Sequence, residues 1–209
     1  MQHKMFNILS KMKKSIKIGL VLFVGLIVYN FCTIDTGPDG DEAEAAGSQL
    51  NYLDKVPSFK DGSLIIVNFR KPSMEDRLYI YNRKDMECIY TGAVLHGNGG
   101  KSTASTPEFS NKIGSKCSSL GLFKVSEESH TKLGIPCLRL DGLSPTNSNA
   151  RARGIVIHPS IMVTLTPFGI DGMNYPLTPE SEGCFSVSWH TFLKIKHLKR
   201  PIYLESYYG

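Results

Sequence analysis

The chain has 209 residues and a formal net charge of +5 at neutral pH. This charge is too diffuse for a nucleic-acid-binding surface, and no basic stripe interleaved with aromatic residues is present. Five cysteines show neither a C-x-x-C pair nor metal-ligand spacing, so we expect no metal and no cofactor, and the sequence leaves disulfide pairing open.

The first 50 residues differ from the rest of the chain. Five lysines precede the apolar run 18–31, and five acidic residues come after it. A basic flank before an apolar run is typical of a segment that keeps the N-terminus in the cytoplasm and exports the downstream residues. The sequence therefore predicts a basic tail and signal anchor over 1–32, an acidic linker over 33–50 and an extracytoplasmic domain over 51–209. A cleaved signal peptide, which would make the domain periplasmic or secreted, is the alternative.

The exported domain is predicted to be mainly β. Short runs rich in β-branched and aromatic residues predict strands over 63–69, 77–81, 87–91, 93–96, 121–125, 137–140 and 154–158. Turn residues at 82–85 predict a hairpin between the second and third strands. The run 154–158 is the most apolar and predicts a central strand. Helices are predicted over 48–55 and 187–198.

The last predicted strand delivers His158, and a Gly-Cys pair lies further along the chain at 183–184. Cysteine is a nucleophile only as the thiolate, and a neighbouring imidazole is the usual means of forming it near neutral pH. Gly183 allows a backbone conformation that other residues resist, so the N–H groups of Gly183 and Cys184 are candidates for an oxyanion hole. The alternative is a buried cysteine and an unrelated histidine. The long connection 159–180 indicates a lid or a substrate wall.

Six segments, in order, carry a resemblance to a known family. They are HGNGG at 96–100, FSNKIGS at 109–115, SSLGLF at 118–123, RLDGL at 139–143, NARARGIVIH at 149–158 and SEGC at 181–184. Together they resemble the murein L,D-transpeptidase catalytic domains, the YkuD-like family. The resemblance implies a β-sandwich or curved mixed sheet with one or two short helices, behind an N-terminal membrane helix.

The resemblance also implies roles for individual residues. Cys184 would be the nucleophile, His158 the base that activates it, and the amides of Gly183 and Cys184 the oxyanion hole. Ser181 matches the family's Ser or Thr before the Gly-Cys pair, where it would brace the loop and border the substrate.

The chain departs from the family beside the cysteine. Many members carry His where this chain has Glu182, and they often carry Arg, able to hold a substrate carboxylate, where it has Ser186. Arg151 and Arg153 alternate with an alanine, so on a strand both would face one side. They are the candidate replacements for that missing arginine.

The reaction that the resemblance implies is acyl transfer on peptidoglycan stem peptides. The Cys184 thiolate would attack the carbonyl before the terminal D-alanine, D-alanine would leave, and an amine of another stem would resolve the thioester as a 3→3 cross-link. Two alternatives stay open: an exported cysteine L,D-carboxypeptidase or peptidase, and a peptidoglycan-binding module that has lost catalysis. The predicted partners are the stem peptides and, through the N-terminal helix, the membrane.

Overall fold

The computed structural model describes residues 62–165 and 181–208. By its contacts the chain divides into units 1–36 and 37–209, and every described residue belongs to the second unit. The predicted signal anchor, the linker and the helix predicted over 48–55 lie outside the described residues. Within the described ranges, no helix combines the length and apolar character needed to cross a membrane.

Nine strands of the described ranges form one mixed sheet in the order β3-β2-β1-β9-β5-β6-β7-β8-β4. The pairs β1/β9 and β7/β8 are parallel, and the other pairs are antiparallel. The strands are β1 Ser63–Asn68, β2 Leu78–Asn82, β3 Cys88–Gly92, β4 Val94–Leu95, β5 Gly121–His130, β6 Pro136–Gly142, β7 Val156–Pro159, β8 Phe185–Val187 and β9 Ile202–Tyr207.

Short α-helices accompany the sheet. Those in the described ranges are α1 Ala150–Arg153, α2 Ile161–Leu165 and α3 Trp189–Lys196, with a 3-10 turn at Pro145–Asn147. Helix α3 begins after Ser188, whose hydroxyl accepts a hydrogen bond from the Thr191 N–H, and it packs against β7. An N-cap serine of this kind satisfies a backbone donor that the first helical turn leaves without a partner.

The sheet is nearly closed. Strands β3 and β4 are its two edges, yet β3 ends at Gly92 and β4 begins at Val94, so the sheet must curl until its edges approach each other. The enclosed face holds the main core, to which Ile65, Ile80, Phe123, Leu138, Ile157, Phe185 and Leu204 contribute. A mainly β fold with a nearly closed mixed sheet and few short helices confirms this part of the prediction.

The sequence predicts seven of these strands but misses two. Strand β8 has only three residues and overlaps the start of the helix predicted over 187–198, which begins at Trp189. Strand β9 carries no prediction at all. The predicted strand 154–158 begins only at Val156, has neighbours on both sides, and comes after α1, which ends where Gly154 takes a φ of +68°. Glycine commonly ends a helix in this way because it has no Cβ to clash.

Two fully buried polar residues join the start of β2 to β4. The Arg77 guanidinium donates to the Val94 carbonyl at 2.9 Å and to His96 Nδ1 at 2.8 Å, and both side chains are 0% exposed. Because arginine only donates, Nδ1 must accept, so the His96 proton lies on Nε2, which donates to the Thr103 carbonyl at 2.9 Å. Burial, with the charge of Arg77, lowers the pKa of His96 to about 4. His96 therefore has a structural role in a neutral form.

The outer face of β1, β2 and β9 carries a second apolar cluster, which includes Leu64, Ile66, Tyr79 and Tyr81. Glu205 of β9 lies beside Ile66 in the parallel register. Burial raises the pKa of Glu205 to about 7, and its Oε2 has no hydrogen-bond partner among the described residues. Glu205 is thus an acid in a site that favours its neutral form.

Candidate active site

Neighbouring strands bring the predicted nucleophile and base onto one face of the sheet. Strands β7 and β8 pair in parallel with Ile157 beside Phe185 and His158 beside Ser186. Cys184 directly precedes β8, and its sulfur interacts with the Val156 N–H of β7. Ile157 and Phe185 point into the core, so alternation along the strands turns His158, Ser186 and Cys184 to the opposite face.

A cavity of about 660 Å³ opens on this face, and both Cys184 and His158 line it. The end of the β5–β6 hairpin also lines it, through His130, Thr131, Lys132, Leu133 and Ile135. Among its described lining residues are four cations and one carboxylate: Lys116, Lys132, Arg139, Arg153 and Glu182. The cavity is therefore suited to a ligand that carries carboxylates.

The imidazole of His158 is half-buried and held at both nitrogens. Nδ1 lies 3.0 Å from the Pro159 carbonyl oxygen, and Nε2 lies 3.1 Å from Ser186 Oγ. A carbonyl only accepts, so we assign the proton to Nδ1 and leave Nε2 as the acceptor. The nitrogen that is able to take up a proton is thus the one that faces Ser186.

The Cys184 thiol is half-buried and donates to the Gly154 carbonyl, with an Sγ–O distance of 3.8 Å. Burial raises the pKa of the Cys184 thiol, although the Val156 N–H and Arg153 act in the opposite direction. The thiolate therefore needs a base to form near neutral pH. In this structure no hydrogen bond joins the side chains of Cys184 and His158, two described residues that border the same cavity.

The turn before the cysteine is fixed by short polar contacts. Ser181 Oγ donates to the Cys184 carbonyl at 2.7 Å and so closes the turn 181–184. Gly183 has a φ of +108°, and a Cβ there would meet the Cys117 carbonyl oxygen at 2.6 Å, so only glycine fits. The Ser118 hydroxyl donates a hydrogen bond to the Gly183 carbonyl at 3.3 Å. The substrate role of Ser181 and the oxyanion role of Gly183 and Cys184 stay predictions.

The interpretation that Arg151 and Arg153 share one side of a strand is wrong, because both lie in helix α1. Arg151 is exposed, pairs with Glu127 and Asp141, and is not among the residues that line the cavity. Arg153 does line it, but its guanidinium donates to the Ser110 and Cys117 carbonyls and to the hydroxyls of two serines, Ser115 and Ser119. A carboxylate contact by either arginine stays a prediction, and for Arg151 it finds no support in the position of the side chain.

Glu182, which stands where many members of the resembled family have His, lines the cavity. Its carboxylate forms an ion pair with Lys116 at 2.9 Å. That hydrogen bond and, more weakly, the charge of Lys132 lower the pKa of the Glu182 carboxyl. The chain thus has an exposed ion pair at this position instead of a second imidazole.

Sequence reasoning misses three residues of this site. Ser118 lies within a segment that resembles the family, yet its bridge to the Gly-Cys turn depends on a contact across 65 residues. Ser186 attracts notice in the sequence only as the place of a missing arginine, and no pattern distinguishes Lys132. The signal for Ser186 is the alternation along β8, which turns it away from the core side chains of Phe185 and Val187.

Metal ligation is not a feature of the part of the chain that the structure describes, where no three His, Cys, Asp or Glu side chains form a potential cation site. The four described cysteines, at 88, 117, 137 and 184, are free thiols. Cys184 is thus available as a nucleophile.

Comparison with known proteins gives one family. The model of the L,D-transpeptidase catalytic domain matches residues 42–204. Curated proteins give no match.

Solved structures similar to this chain include three bacterial proteins. An L,D-transpeptidase from Xylanimonas cellulosilytica is 14% identical with a TM-score of 0.41, covering 78% of this chain and 69% of that one. The helical cell shape determining protein Pgp2 from Campylobacter jejuni is 12% identical with a TM-score of 0.43 and coverages of 73% and 49%, so the match spans about half of that protein. L,D-transpeptidase 1 from Mycobacterium tuberculosis is 11% identical with a TM-score of 0.38 and coverages of 71% and 63%.

Proposed function

The chain belongs to the L,D-transpeptidase catalytic domain family, and from this premise we propose that it is a cysteine acyltransferase that acts on peptidoglycan stem peptides. One observation carries the proposal: adjacent parallel strands bring Cys184 and His158 to the same face of the sheet, where both line one cavity. His158 lies on β7 and Cys184 directly precedes β8, so both are held by the paired strands.

We propose that the Cys184 thiolate attacks the carbonyl between the L-configured third stem residue and the terminal D-alanine. The C–N bond breaks, D-alanine leaves with a proton, and the acyl group stays on sulfur as a thioester. An amine of a second stem then attacks the thioester and gives a 3→3 cross-link. Backbone N–H groups of Gly183 and Cys184 are the proposed donors to the oxyanion in both steps.

The charge of the cavity supports this substrate class. Stem peptides carry several carboxylates, and the described lining has four cations against one carboxylate. Arg153 is largely occupied by contacts within the protein, so we propose that Lys132, which is exposed on the hairpin turn and lines the cavity, binds a carboxylate of the donor stem.

The test is covalent capture of the nucleophile. We expect residues 51–209, incubated with a carbapenem, to gain the mass of one drug molecule, and we expect Cys184→Ser to gain none. Purified muropeptides should then yield 3→3 dimers with release of D-alanine. Shortened stems without dimers would indicate the carboxypeptidase instead, and the absence of both the adduct and any product would indicate a binding module.

We also propose that residues 1–32 anchor the domain on the extracytoplasmic face of the inner membrane, in the cell envelope. The basic, apolar and acidic segments of the sequence support this orientation. A fusion of alkaline phosphatase after residue 50 should be active and remain in the membrane fraction. An active fusion that is released from the membrane would indicate cleavage.

A further inference from the structure

Ser186 lies closer to the chemistry than its place in the sequence suggests. It is 0% exposed, stands on β8 beside His158 in the parallel register, and its Oγ lies 3.1 Å from His158 Nε2. Since Nδ1 donates to the Pro159 carbonyl, Nε2 has a lone pair and the Ser186 hydroxyl must be the donor. The nitrogen of His158 that can accept a proton is therefore occupied by Ser186.

The thiol belongs to the residue two positions before Ser186. Cys184 directly precedes β8 and is separated from Ser186 by one residue, Phe185, whose side chain lies in the main core. The thiol donates to the Gly154 carbonyl and not to the imidazole. Ser186 thus lies two residues from the proposed nucleophile and forms a hydrogen bond with the proposed base.

We propose that the Ser186 hydroxyl relays the thiol proton to His158; this rests on the proposed function of Cys184 and His158. In the step, the S–H bond breaks as its proton moves to Ser186 Oγ, while the O–H proton of Ser186 moves to His158 Nε2. The products are a Cys184 thiolate and a His158 imidazolium, and the serine hydroxyl is regenerated. When the thioester forms, the same path in reverse lets the imidazolium protonate the leaving amine through the hydroxyl or directly.

The relay is tested by alkylating Cys184 with iodoacetamide across pH and by measuring D-alanine release from a tetrapeptide. Ser186→Ala should slow alkylation at pH 7 by at least about tenfold, move its pH midpoint upward, and lower kcat with little change in KM. Ser186→Thr, which keeps the hydroxyl, should retain the wild-type pH midpoint. If Ser186 had only a structural role, Ser186→Ala would not shift the pH midpoint of alkylation, and Ser186→Thr would have no shift to reverse.

Ser206→Ala is the matched control. Ser206 is also a buried serine on an interior strand, and its hydroxyl donates to the Ser119 carbonyl, away from the cavity. It should leave the pH midpoint unchanged. If Ser186→Thr does not fold, as judged by circular dichroism, the comparison of Ser186→Ala with Ser206→Ala decides.

Two results have separate meanings. The first concerns a wild type that is alkylated and forms the thioester. If Ser186→Ala is then alkylated as fast as this wild type or faster, the relay is overturned, and the proton passes directly from the thiol to the imidazole. Absence of thioester formation in the wild type would instead overturn the proposed function.

Discussion

The chemistry of individual residues at the site depends on whether the Cys184 thiol can lose its proton. Burial raises the pKa of the Cys184 thiol, and four cationic side chains line the same cavity. Burial thus disfavours the thiolate, while the register of β7 and β8 brings the His158 imidazole and the Ser186 hydroxyl together. Under the proposed function, the reactivity of Cys184 would depend on a proton transfer to His158.

Lys132 offers a test of how the cavity recognises its substrate. It is exposed on the hairpin turn and lines the cavity, so Lys132→Ala should raise KM for an anionic tetrapeptide about threefold, with the effect fading at high salt. Lys84→Ala, on the turn between β2 and β3, is the control, and its KM should match that of the wild type. Equal KM values for both variants would show that Lys132 does not contact the substrate.

Removing the charge of Glu205 should stabilise the folded protein at high pH. Its folded pKa, about 7, lies above the ordinary 4.5, so its ionised form costs stability as pH rises from 4.5 through 7. Glu205→Gln should raise the urea midpoint of unfolding at pH 8 and leave it nearly unchanged at pH 4. The exposed Glu87→Gln should change it at neither pH. Equal gains at both pH values would contradict the assignment of the effect to ionisation.

At the scale of elements, α1 illustrates what sequence reasoning reaches and what it misses. The runs of β-branched residues predict β1 to β7 and the β2–β3 hairpin, because half-buried strands need that pattern. The interpretation of 151–153 as strand overlooks that Ala-Arg-Ala-Arg before a glycine is a helix-forming stretch with a C-terminal cap. Strand β9 alternates buried and half-buried residues, yet its pairing with β1 crosses 139 residues and leaves no local signal.

The two arginines of α1 should differ sharply in their contribution to folding. Arg153 ties the segment 110–119 to the start of β7 through several hydrogen bonds, so Arg153→Ala should lower the free energy of unfolding by about 3 kcal/mol. Arg151→Ala removes two exposed ion pairs, with Glu127 and Asp141, and should cost about 1 kcal/mol or less. Urea denaturation measures both, and similar losses would contradict this division of roles.

For the molecule as a whole, the buried Arg77–His96 pair should set its acid stability. His96 has a folded pKa of about 4 against an ordinary 6.5, so the folded state binds fewer protons and stability is lost as pH falls from 6.5 to 4. The loss should reach about 3 kcal/mol, because each pKa unit is worth about 1.4 kcal/mol.

A substitution isolates this effect. The Gln amide in His96→Gln can accept from Arg77 and donate to the Thr103 carbonyl without titrating, so this variant should show a shallower decline of stability between pH 6.5 and 4. His197→Gln, at an exposed histidine, should show the wild-type decline. A His96→Gln profile parallel to that of the wild type would place the acid-sensitive group elsewhere.

Strand β9 has a consequence for the order in which the domain can assemble. It comes after every other described strand along the chain, yet it lies between β1 and β5 and, among the described strands, links β3-β2-β1 to the strands that carry the site. During synthesis the two parts of the sheet must therefore wait, unjoined, for residues 202–207 to emerge. Such distant pairings close slowly because the intervening loop must be ordered first. The nascent chain thus completes its sheet only after translation has passed Tyr207.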